Sequence, residues 1–235
     1  MTDGGWISLF SGGKDSSWAL YRALDSGREV TQLVTVHPPA DSYLYHVPAT
    51  DLASLAAESI GIPLMEVVAE DVGGAVESSR RGDEELAPLE RALEELVSSG
   101  GYEGITAGAV ESRFQRDRLQ GMADRLGLEL YAPLWHGAPI ELLEQMVAAG
   151  FEIVVIAVAA DGLDEDWLGR VVDREAIEAL TRLRETHGVH PMGEGGEYET
   201  LVTDGPHMGR PIVIEGQPTW DGTRGELLIE TARLD

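Results

Sequence analysis

The chain has 235 residues, of which 43% are hydrophobic, enough for one large or two small domains with a buried core. It contains no cysteine, so disulfides, thiolate zinc sites and cysteine nucleophiles are excluded. No apolar run approaches the length of a membrane span, and residues 1–5 lack the basic and apolar regions of a signal peptide. We therefore expect a cytoplasmic protein that does not interact with membranes.

The chain is strongly acidic: 42 Asp and Glu oppose 17 Lys and Arg, giving a net charge of −25. Nucleic-acid partners require basic surfaces, so we expect none here. The self-repulsion of such a chain opposes a compact fold at low ionic strength, and molar salt screens it. Lys14 is the single lysine, and every other basic residue is arginine. Acidic excess with lysine depletion predicts a halophilic protein that is folded in molar KCl and loses structure in dilute buffer.

Strands and helices alternate through the first half of the chain. Apolar or β-branched runs predict strands at 6–10, 30–37, 64–69 and 104–108. Apolar periodicity between capping and stop residues predicts helices at 17–26, 50–60, 84–97 and 112–126. This alternation favours a parallel sheet covered by helices on both faces, with ligands bound beyond the carboxyl ends of its strands.

The second half begins near residues 130–135 and has a different composition. We predict helices at 139–149 and 173–187, and a strong strand at 152–159. After Gly188, glycine and proline are frequent and the strand-like runs are short: 199–203, 211–215 and 226–233. The sequence therefore predicts an α/β domain over residues 1–131 and a smaller α+β domain over residues 132–235.

The first strand leads directly into Ser11-Gly12-Gly13-Lys14-Asp15-Ser16. Glycines let a backbone approach a ligand, helix-start amides attract anions, and a lysine adds a compact positive charge. Asp15 directly after Lys14 excludes a Walker A loop, and the lack of a third glycine excludes the dinucleotide fingerprint. Ser11 and Ser16 can donate hydroxyl hydrogen bonds to phosphate oxygens, while Asp15 either caps the helix or holds Mg²⁺. The segment therefore predicts a phosphate-binding loop.

Residues 11–16 resemble the PP-loop of the ATP pyrophosphatase superfamily. Those enzymes split ATP between its α and β phosphates, adenylate a carbonyl or carboxyl oxygen, and let a nitrogen or sulfur nucleophile displace AMP. Three further stretches, 43–48, 108–118 and 193–202, are similar to one branch of that superfamily, the diphthine–ammonia ligases. The resemblance covers nearly the whole chain in the family's order. It implies an α/β fold of the HUP type (adenine nucleotide alpha-hydrolase-like), a parallel-sheet sandwich with a smaller α+β C-terminal domain.

The chain departs from the family pattern at two places. Residues 37–42 look shorter and less polar than the segment that the family usually has there. Met192 stands where many relatives carry cysteine, so we do not expect that side chain to be catalytic. The first departure concerns the details of substrate contact and leaves the implied reaction unchanged.

Three carboxylates surround the glycine pair of the third stretch. Glu197 and Glu199 are two residues apart at the start of a predicted strand and should share a face, and Glu194 precedes them in the glycine-rich loop. Carboxylates this close repel one another unless they hold a cation. The candidates are Mg²⁺, ammonium and the trimethylammonium group that the resemblance implies for diphthine; the alternative is a solvated acidic turn. The rings that could face a quaternary ammonium belong to Tyr198, Trp135 and Tyr131.

Four further polar residues have two interpretations. Arg113 and Arg116 lie at the start of a predicted helix that follows a strand. The resemblance implies that they contact nucleotide phosphates or the activated carboxylate. The alternative is that they are surface arginines that offset the negative charge of an acidic protein. Tyr45 and His46 lie in a loop near the expected ligand edge and are candidates for substrate contact, although a lone histidine more often packs or caps. The histidines of the second half, His190 among them, show no metal-ligand spacing.

The resemblance implies ATP and Mg²⁺ as cofactors, ammonium as a substrate, and elongation factor 2 carrying diphthine as the protein partner. The diphthine carboxylate would attack the α-phosphate, while Lys14 and the loop amides hold the charge of the departing pyrophosphate. Ammonia would then convert the acyl-adenylate into an amide and AMP. The predicted catalytic carboxylates would bind ammonium and take its proton, or bind the substrate cation, and they are Glu194, Glu197 and Glu199.

Two other functions stay open on the sequence. A tRNA-modifying PP-loop enzyme, of the thiolation or lysidine type, shares the loop, but the absence of cysteine and the negative charge disfavour it. A nucleotide-binding sensor of the same broad fold would hold ATP or AMP without chemistry and would release no pyrophosphate. The oligomeric state is also open, a homodimer included.

Overall fold

The computed structural model describes residues 4–37, 49–68, 78–111 and 113–235, with the backbone alone for 49–51, 78–85, 114 and 115. Tyr45 and His46, two of the predicted substrate contacts, lie outside the described residues, as does the whole of the 43–48 stretch. No helix in the described ranges is both long and apolar enough to cross a membrane.

The first unit is a parallel sheet of five strands connected by four helices. The strands are β1 (Gly5–Leu9), β2 (Val30–His37), β3 (Leu64–Val68), β4 (Tyr102–Thr106) and β5 (Glu129–Tyr131). The helices are α1 (Lys14–Asp25), α2 (Ala49–Ile60), α3 (Ser78–Ser99) and α4 (Arg113–Leu126). The strand order is β3-β2-β1-β4-β5, and all neighbours are parallel. The predicted parallel α/β sheet is confirmed.

The four helices cover both faces of this sheet. Leu20 of α1 and Ala56 of α2 pack on one face. Leu93 of α3 and Met122 of α4 pack with Ile105 of β4 on the other. Parallel strands buried on both faces are typically apolar runs such as these. Because the order of the strands reverses between β1 and β4, the ligand crevice of the fold is expected beyond the carboxyl ends of these two strands.

The second unit is built around an antiparallel sheet. Its strands are β6 (Glu152–Val158), β7 (Tyr198–Asp204), β8 (Ile212–Trp220) and β9 (Gly225–Leu234), in the order β7-β6-β9-β8. Its helices are α5 (Pro139–Ala148) and α6 (Arg174–His187). The α+β character predicted for the second half is confirmed. The domain boundary between residues 131 and 132 stays a prediction.

Helix α1 lies between the two units and packs against both. Trp18 contacts Phe151 with 5.3 Å between ring centroids, in a core cluster that also holds Leu143 of α5 and Leu180 of α6. The other side of α1 carries Leu20 into the core of the parallel sheet. The helix that follows the predicted phosphate loop is therefore fixed from two sides.

Three element boundaries differ from prediction by three residues or more. Helix α1 begins at Lys14 rather than at residue 17, and α3 begins at Ser78 rather than at residue 84. Strand β8 continues to Trp220 through Gly216 and Pro218, where the sequence predicts an end at residue 215. Proline is tolerated there because β8 is an edge strand of its sheet, and an edge strand has one side without a ladder partner.

Candidate active site

The loop between β1 and α1 is closed by backbone and hydroxyl contacts. Gly12 has φ +79°, in the left-handed region that glycine adopts without strain, and its carbonyl accepts the Val202 N–H at 2.9 Å. Ser16 Oγ accepts the Ser11 N–H and donates to the Gly13 carbonyl, each at 3.1 Å. The predicted phosphate loop is therefore a closed turn at the carboxyl end of β1.

The first turn of α1 faces this loop with its backbone N–H groups. Thr200 Oγ1 on β7 accepts the Lys14 N–H at 3.2 Å, and the first intrahelical bond runs from the Ser17 N–H to the Gly13 carbonyl at 3.0 Å. The N–H groups of Asp15 and Ser16 precede that bond and have no carbonyl of their own helix to bind. Unpaired N–H groups at the positive end of a helix attract anions.

Lys14 is buried, with 3% of its surface exposed. Its Nζ donates to the Met192 carbonyl at 2.6 Å and to Asp15 Oδ2 at 2.9 Å, and it lies 5.2 Å from the centre of the Tyr198 ring. A buried charge is tolerated when it is paired and hydrogen-bonded. The structure therefore holds the single lysine as a fixed positive charge beside the loop.

Asp15 does not cap the helix. The N-cap of α1 is Gly13, which makes no side-chain cap hydrogen bond, so the capping option predicted for Asp15 is wrong. One oxygen of Asp15 binds Lys14. The other, Oδ1, is buried and has no hydrogen-bond partner among the described residues. Oδ1 of Asp15 is therefore a buried acceptor that the described residues leave without a hydrogen bond.

A cleft of about 440 Å³ lies over this loop. The loop forms its floor, Gly108 follows β4 on one side, and residues 192–195 and 198–201 of the second unit form the opposite wall. A Cβ on Gly108 would lie 2.6 Å from the carbonyl carbon of Asp15, so only glycine lets the two loops approach this closely. The cleft occupies the crevice beyond β1 and β4 that the strand order predicts.

Two of the three predicted carboxylates, Glu194 and Glu199, line the cleft. Glu197 has helical backbone angles (φ −63°, ψ −36°) just before β7 begins, and its Oε2 accepts the His190 N–H. The prediction that Glu197 and Glu199 share a strand face is wrong because the strand starts after Glu197. Within the described ranges, no group of three or more His, Asp and Glu could hold a metal ion, so the three carboxylates do not form a metal site there. The binding of ammonium or trimethylammonium by these residues stays a prediction.

The carboxyl group of Glu194 is electrostatically coupled to the phosphate loop. Burial raises the pKa of Glu194 above its usual value, and the negative charge of Asp15 raises it further. The nearby His190 and Lys14 act in the opposite direction on this pKa without cancelling the shift. A carboxylate with a raised pKa is a stronger base than an exposed one, which suits a group that accepts a proton from a substrate.

Tyr198 forms part of the cleft wall and supports Lys14. Its hydroxyl donates to the Pro191 carbonyl, and its ring lies under the lysine ammonium. Burial, together with the negative charges of Asp15 and Glu197, raises the pKa of the Tyr198 phenol well above its ordinary value. The hydroxyl therefore stays protonated as a donor, and the ring face is taken by Lys14 rather than offered to a substrate cation.

The predicted arginines and Trp135 do not line the cleft. Arg113 is exposed at the first residue of α4, and the Arg116 guanidinium lies 5.0 Å from the centre of the Trp135 ring. Tyr131 is covered by the Arg28 guanidinium at 3.8 Å from its ring centre. A ring face that already contacts an arginine guanidinium is not available to the trimethylammonium group of a substrate. The structure therefore does not bring these residues together with the phosphate loop.

Two partners of Lys14 are not found by sequence reasoning. Thr200 lies within the third family-like stretch, 193–202. Because side chains alternate along a strand, those of Glu199 and Thr200 point to opposite faces, and this alternation is the sequence signal that could have identified Thr200. The Met192 carbonyl carries no signal, because every residue has a backbone carbonyl and the contact joins Lys14 to a position far along the chain.

Comparisons with known proteins identify the family. The chain matches the family models described as "Diphthamide synthase N-terminal domain" over residues 5–130 and "Diphthamide synthase C-terminal domain" over residues 138–234. A protein of Rattus norvegicus named "Diphthine--ammonia ligase" is 34% identical over 227 residues, which cover 88% of this chain and 82% of that protein. A protein of the same name from Danio rerio is 32% identical over 225 residues, covering 91% and 87% of the two chains.

A longer relative has the same name. The "Diphthine--ammonia ligase" of Schizosaccharomyces pombe is 33% identical over 232 residues, which cover 94% of this chain and 38% of that protein. The chain thus spans well under half the length of this relative. The two family matches include the phosphate loop and the 193–202 stretch that form the cleft, and they agree with the resemblance drawn from those residues. The chain belongs to the diphthamide synthase family.

Proposed function

We propose that this chain is an ATP-dependent, AMP-forming ligase that amidates diphthine on elongation factor 2 with ammonium. The observation that carries the proposal is the buried Lys14 ammonium, held by Asp15 and the Met192 carbonyl at the start of a helix. It borders a cleft of about 440 Å³ at the switch point of a parallel sheet, where nucleotides bind in such folds. The family of the chain, whose relatives are named for diphthine and ammonia, supports the choice of substrates.

In the first step, a diphthine carboxylate oxygen attacks the α-phosphorus of ATP. The bond from that phosphorus to the bridging oxygen breaks, and pyrophosphate leaves with the electron pair. The growing negative charge is met by Lys14 Nζ and by the N–H groups of Asp15 and Ser16. Because Lys14 is already held by its partners, little reorganisation is needed when the charge develops. The Ser11 and Ser16 hydroxyls, 3.1 Å apart, lie in the same turn.

The residues at the loop fit Mg²⁺. Asp15 Oδ1 is a buried carboxylate oxygen with no partner among the described residues, and Mg²⁺ prefers oxygen ligands of this kind. Mg²⁺ commonly takes only one or two protein carboxylates and fills its shell with water and substrate phosphates. Asp15 would hold the ion through Oδ1 while Oδ2 stays on Lys14. When bound, the ion would neutralise charge on the triphosphate.

In the second step, ammonia attacks the carbonyl carbon of the acyl-adenylate. The bond from that carbon to the AMP oxygen breaks, and AMP leaves with the electron pair. The new nitrogen substituent gives up one more proton to solvent, and the neutral amide remains on the protein substrate. Ammonium must first lose a proton, and we assign Glu194 to accept it because its pKa is raised and it lines the cleft. Glu199 adds negative charge that attracts the ammonium or the trimethylammonium group of diphthine. Glu197 is assigned to fixing the loop through its contact with His190.

Reconstitution in molar KCl tests the proposal. The protein is incubated with ATP, Mg²⁺, ammonium carrying a heavy nitrogen isotope, and elongation factor 2 that bears diphthine. We expect equal amounts of AMP and pyrophosphate, with the heavy nitrogen found in the factor by mass spectrometry, and no sustained turnover with a factor lacking diphthine. Pyrophosphate that requires tRNA instead of the factor would favour a tRNA-modifying reaction. Nucleotide binding without pyrophosphate would leave a sensor and refute the ligase.

A further inference from the structure

His190 links the phosphate-loop lysine to the segment that follows β4. Its Nδ1 accepts the Met192 N–H at 3.2 Å, and its Nε2 lies 3.3 Å from Glu111 Oε2. The Met192 carbonyl in turn accepts from Lys14 Nζ at 2.6 Å. A continuous path of polar contacts therefore runs from Glu111, in the segment after β4, to Lys14, in the segment after β1.

The two ring nitrogens of His190 have different roles. Nδ1 accepts the Met192 N–H, and Nε2 faces the Glu111 carboxylate. Both nitrogens are engaged with the protein, and the side chain is only 22% exposed. The ring is also not among the groups that line the cleft. The ring is thus arranged to hold its neighbours in place rather than to act as an acid or base.

Two consecutive peptide groups on either side of Met192 are fixed by these contacts. In the first, the carbonyl is bound by the Tyr198 hydroxyl and the N–H by the His190 ring. In the second, the carbonyl is bound by Lys14, and the N–H donates to the His190 carbonyl at 2.8 Å. Losing the ring contact leaves the first peptide group held through its carbonyl by the Tyr198 hydroxyl, with its N–H no longer fixed. The neighbouring carbonyl that holds the lysine ammonium is then less precisely placed.

We propose that His190 is a positioning residue for the step that releases pyrophosphate. Through the Met192 peptide it fixes the place of the Lys14 ammonium in the cleft, and Glu111 fixes the orientation of its ring. The kinetic part of this inference rests on the proposed function, whereas its structural part does not. A displaced ammonium loses most of its effect where charge builds up, at the leaving pyrophosphate, so kcat should fall more than the affinity for ATP.

Substitution can separate the two ring nitrogens. His190→Asn keeps an acceptor close to the Nδ1 position and loses the contact with Glu111. His190→Gln places its amide near the Nε2 position and loses the acceptor for the Met192 N–H. We expect His190→Gln to lower kcat for pyrophosphate formation about tenfold with the KM for ATP changed by less than about twofold, and His190→Asn to keep the larger part of kcat.

The single lysine provides a second readout that needs no reaction. In protein made with isotope-labelled lysine, one side-chain NMR signal reports on Lys14. We expect that signal to shift in His190→Gln and, by less, in Glu111→Ala, and to stay near its original position in His190→Asn. Arg184→Gln, which changes an exposed residue of α6, is the control and should leave it in place.

The outcomes separate this inference from the function on which it rests. An unshifted Lys14 signal in both His190→Gln and Glu111→Ala would overturn the positioning role, whatever the activity. Equal shifts in His190→Asn and His190→Gln would overturn it as well, because the Nδ1 contact would then not matter. If the shifts follow the expected order and the unaltered protein forms no pyrophosphate, the proposed function fails and the positioning role is supported.

Discussion

Thr200 Oγ1 accepts the backbone N–H of Lys14 at 3.2 Å. A residue of the antiparallel sheet thereby fills the place of a helix cap, which Gly13, the N-cap of α1, lacks the side chain to fill. The contact from the Val202 N–H to the Gly12 carbonyl joins the same strand to the loop. The second unit therefore shapes the phosphate loop itself, in addition to forming the opposite wall of the cleft.

Replacing Thr200 with valine removes this acceptor and keeps the shape of the side chain. Because a lost cap of this kind costs roughly 1 kcal/mol, we expect Thr200→Val to lower the free energy of unfolding by about that amount. We also expect ATP to bind several-fold more weakly, since the first turn of α1 is less well fixed. Urea unfolding in molar KCl and calorimetric titration with ATP measure the two effects. Thr200→Ser is the matched control, and equal stability of the two variants would show that the contact does not act as a cap.

Removing the charge of Lys14 should lower the rate of pyrophosphate formation much more than it affects folding. Lys14→Gln keeps a similar length, and we expect kcat for pyrophosphate formation to fall by about 10² to 10³, the usual effect of losing one preorganised group that meets developing charge. Arg184→Gln removes one positive charge from an exposed site and serves as the control. Circular dichroism of both variants checks the fold. Turnover close to normal in folded Lys14→Gln would end the assignment of the phosphate loop.

Glu194 should make the use of ammonium depend on pH. Its pKa is raised, first by burial and then by the charge of Asp15, so it keeps its proton to a higher pH than an exposed glutamate. A protonated carboxyl cannot hold ammonium, so the KM for ammonium should fall as pH rises through this raised pKa. We expect Glu194→Gln to abolish that dependence and to raise the KM for ammonium about tenfold, the loss expected for a charge-assisted hydrogen bond.

Initial rates measured against ammonium concentration at a series of pH values test this expectation. Glu185→Gln, which alters an exposed carboxylate of α6, is the control. An unchanged KM for ammonium in Glu194→Gln would mean that this carboxylate is part of a solvated turn.

The sequence is sufficient to find the phosphate loop but not what surrounds it. The composition singles out Lys14, and the glycines beside it indicate why an anion binds there. The partners of its ammonium are set by tertiary packing: a carbonyl at Met192 has no side-chain signature, and Thr200 reaches α1 only because β7 pairs its backbone with Gly12. The order of residues along the chain gives no direct information on contacts that depend on how the two sheets pack.

The acidic stretch at residues 194–199 shows the same limit of sequence-based prediction, over a shorter distance along the chain. A spacing of two predicts a shared face only when both residues are in the strand. The helical backbone of Glu197 turns its carboxylate to the His190 N–H. Glu199 therefore lines the cleft without the Glu197 carboxylate beside it. Four of the five strands of the parallel sheet were predictable because buried apolar runs are a continuous signal. The fifth, β5, was not predicted because it has only three residues and is not a buried apolar run. The length of β8 was not, because its proline is acceptable only at a sheet edge.

His207 should make stability depend on pH. It stacks on Phe151 with 5.1 Å between ring centroids, and neither of its ring nitrogens has a partner among the described residues. Burial lowers its pKa from the usual 6.5 to about 4, with Asp204 opposing the shift. Above pH 6.5 both folded and unfolded states are neutral at this residue, so stability is full. Below it, the unfolded chain gains a proton that the folded chain binds only near pH 4, so stability falls across that window.

The size of this effect follows from the shift of the pKa. At a pH of about 5, the protein should lose about 2 kcal/mol through His207 relative to neutral pH. His207→Phe keeps a ring against Phe151 and removes the titration. The free energy of unfolding of both proteins, measured at the two pH values in molar KCl, isolates the contribution of His207 from that of the carboxylates. A parallel loss in both proteins would contradict it.

Salt should act on this protein by screening its charge. With 42 acidic and 17 basic residues, most carboxylates cannot be paired, and their mutual repulsion weakens as the Debye length falls to about 3 Å at molar salt. We expect the thermal midpoint to rise steadily from dilute buffer to molar KCl, with helical signal lost at the dilute end. Sucrose at equal osmolality is the control, because it stabilises by exclusion from the surface without screening charge. If sucrose restores the fold as well as KCl does, then the acidic surface is not what makes the protein depend on salt.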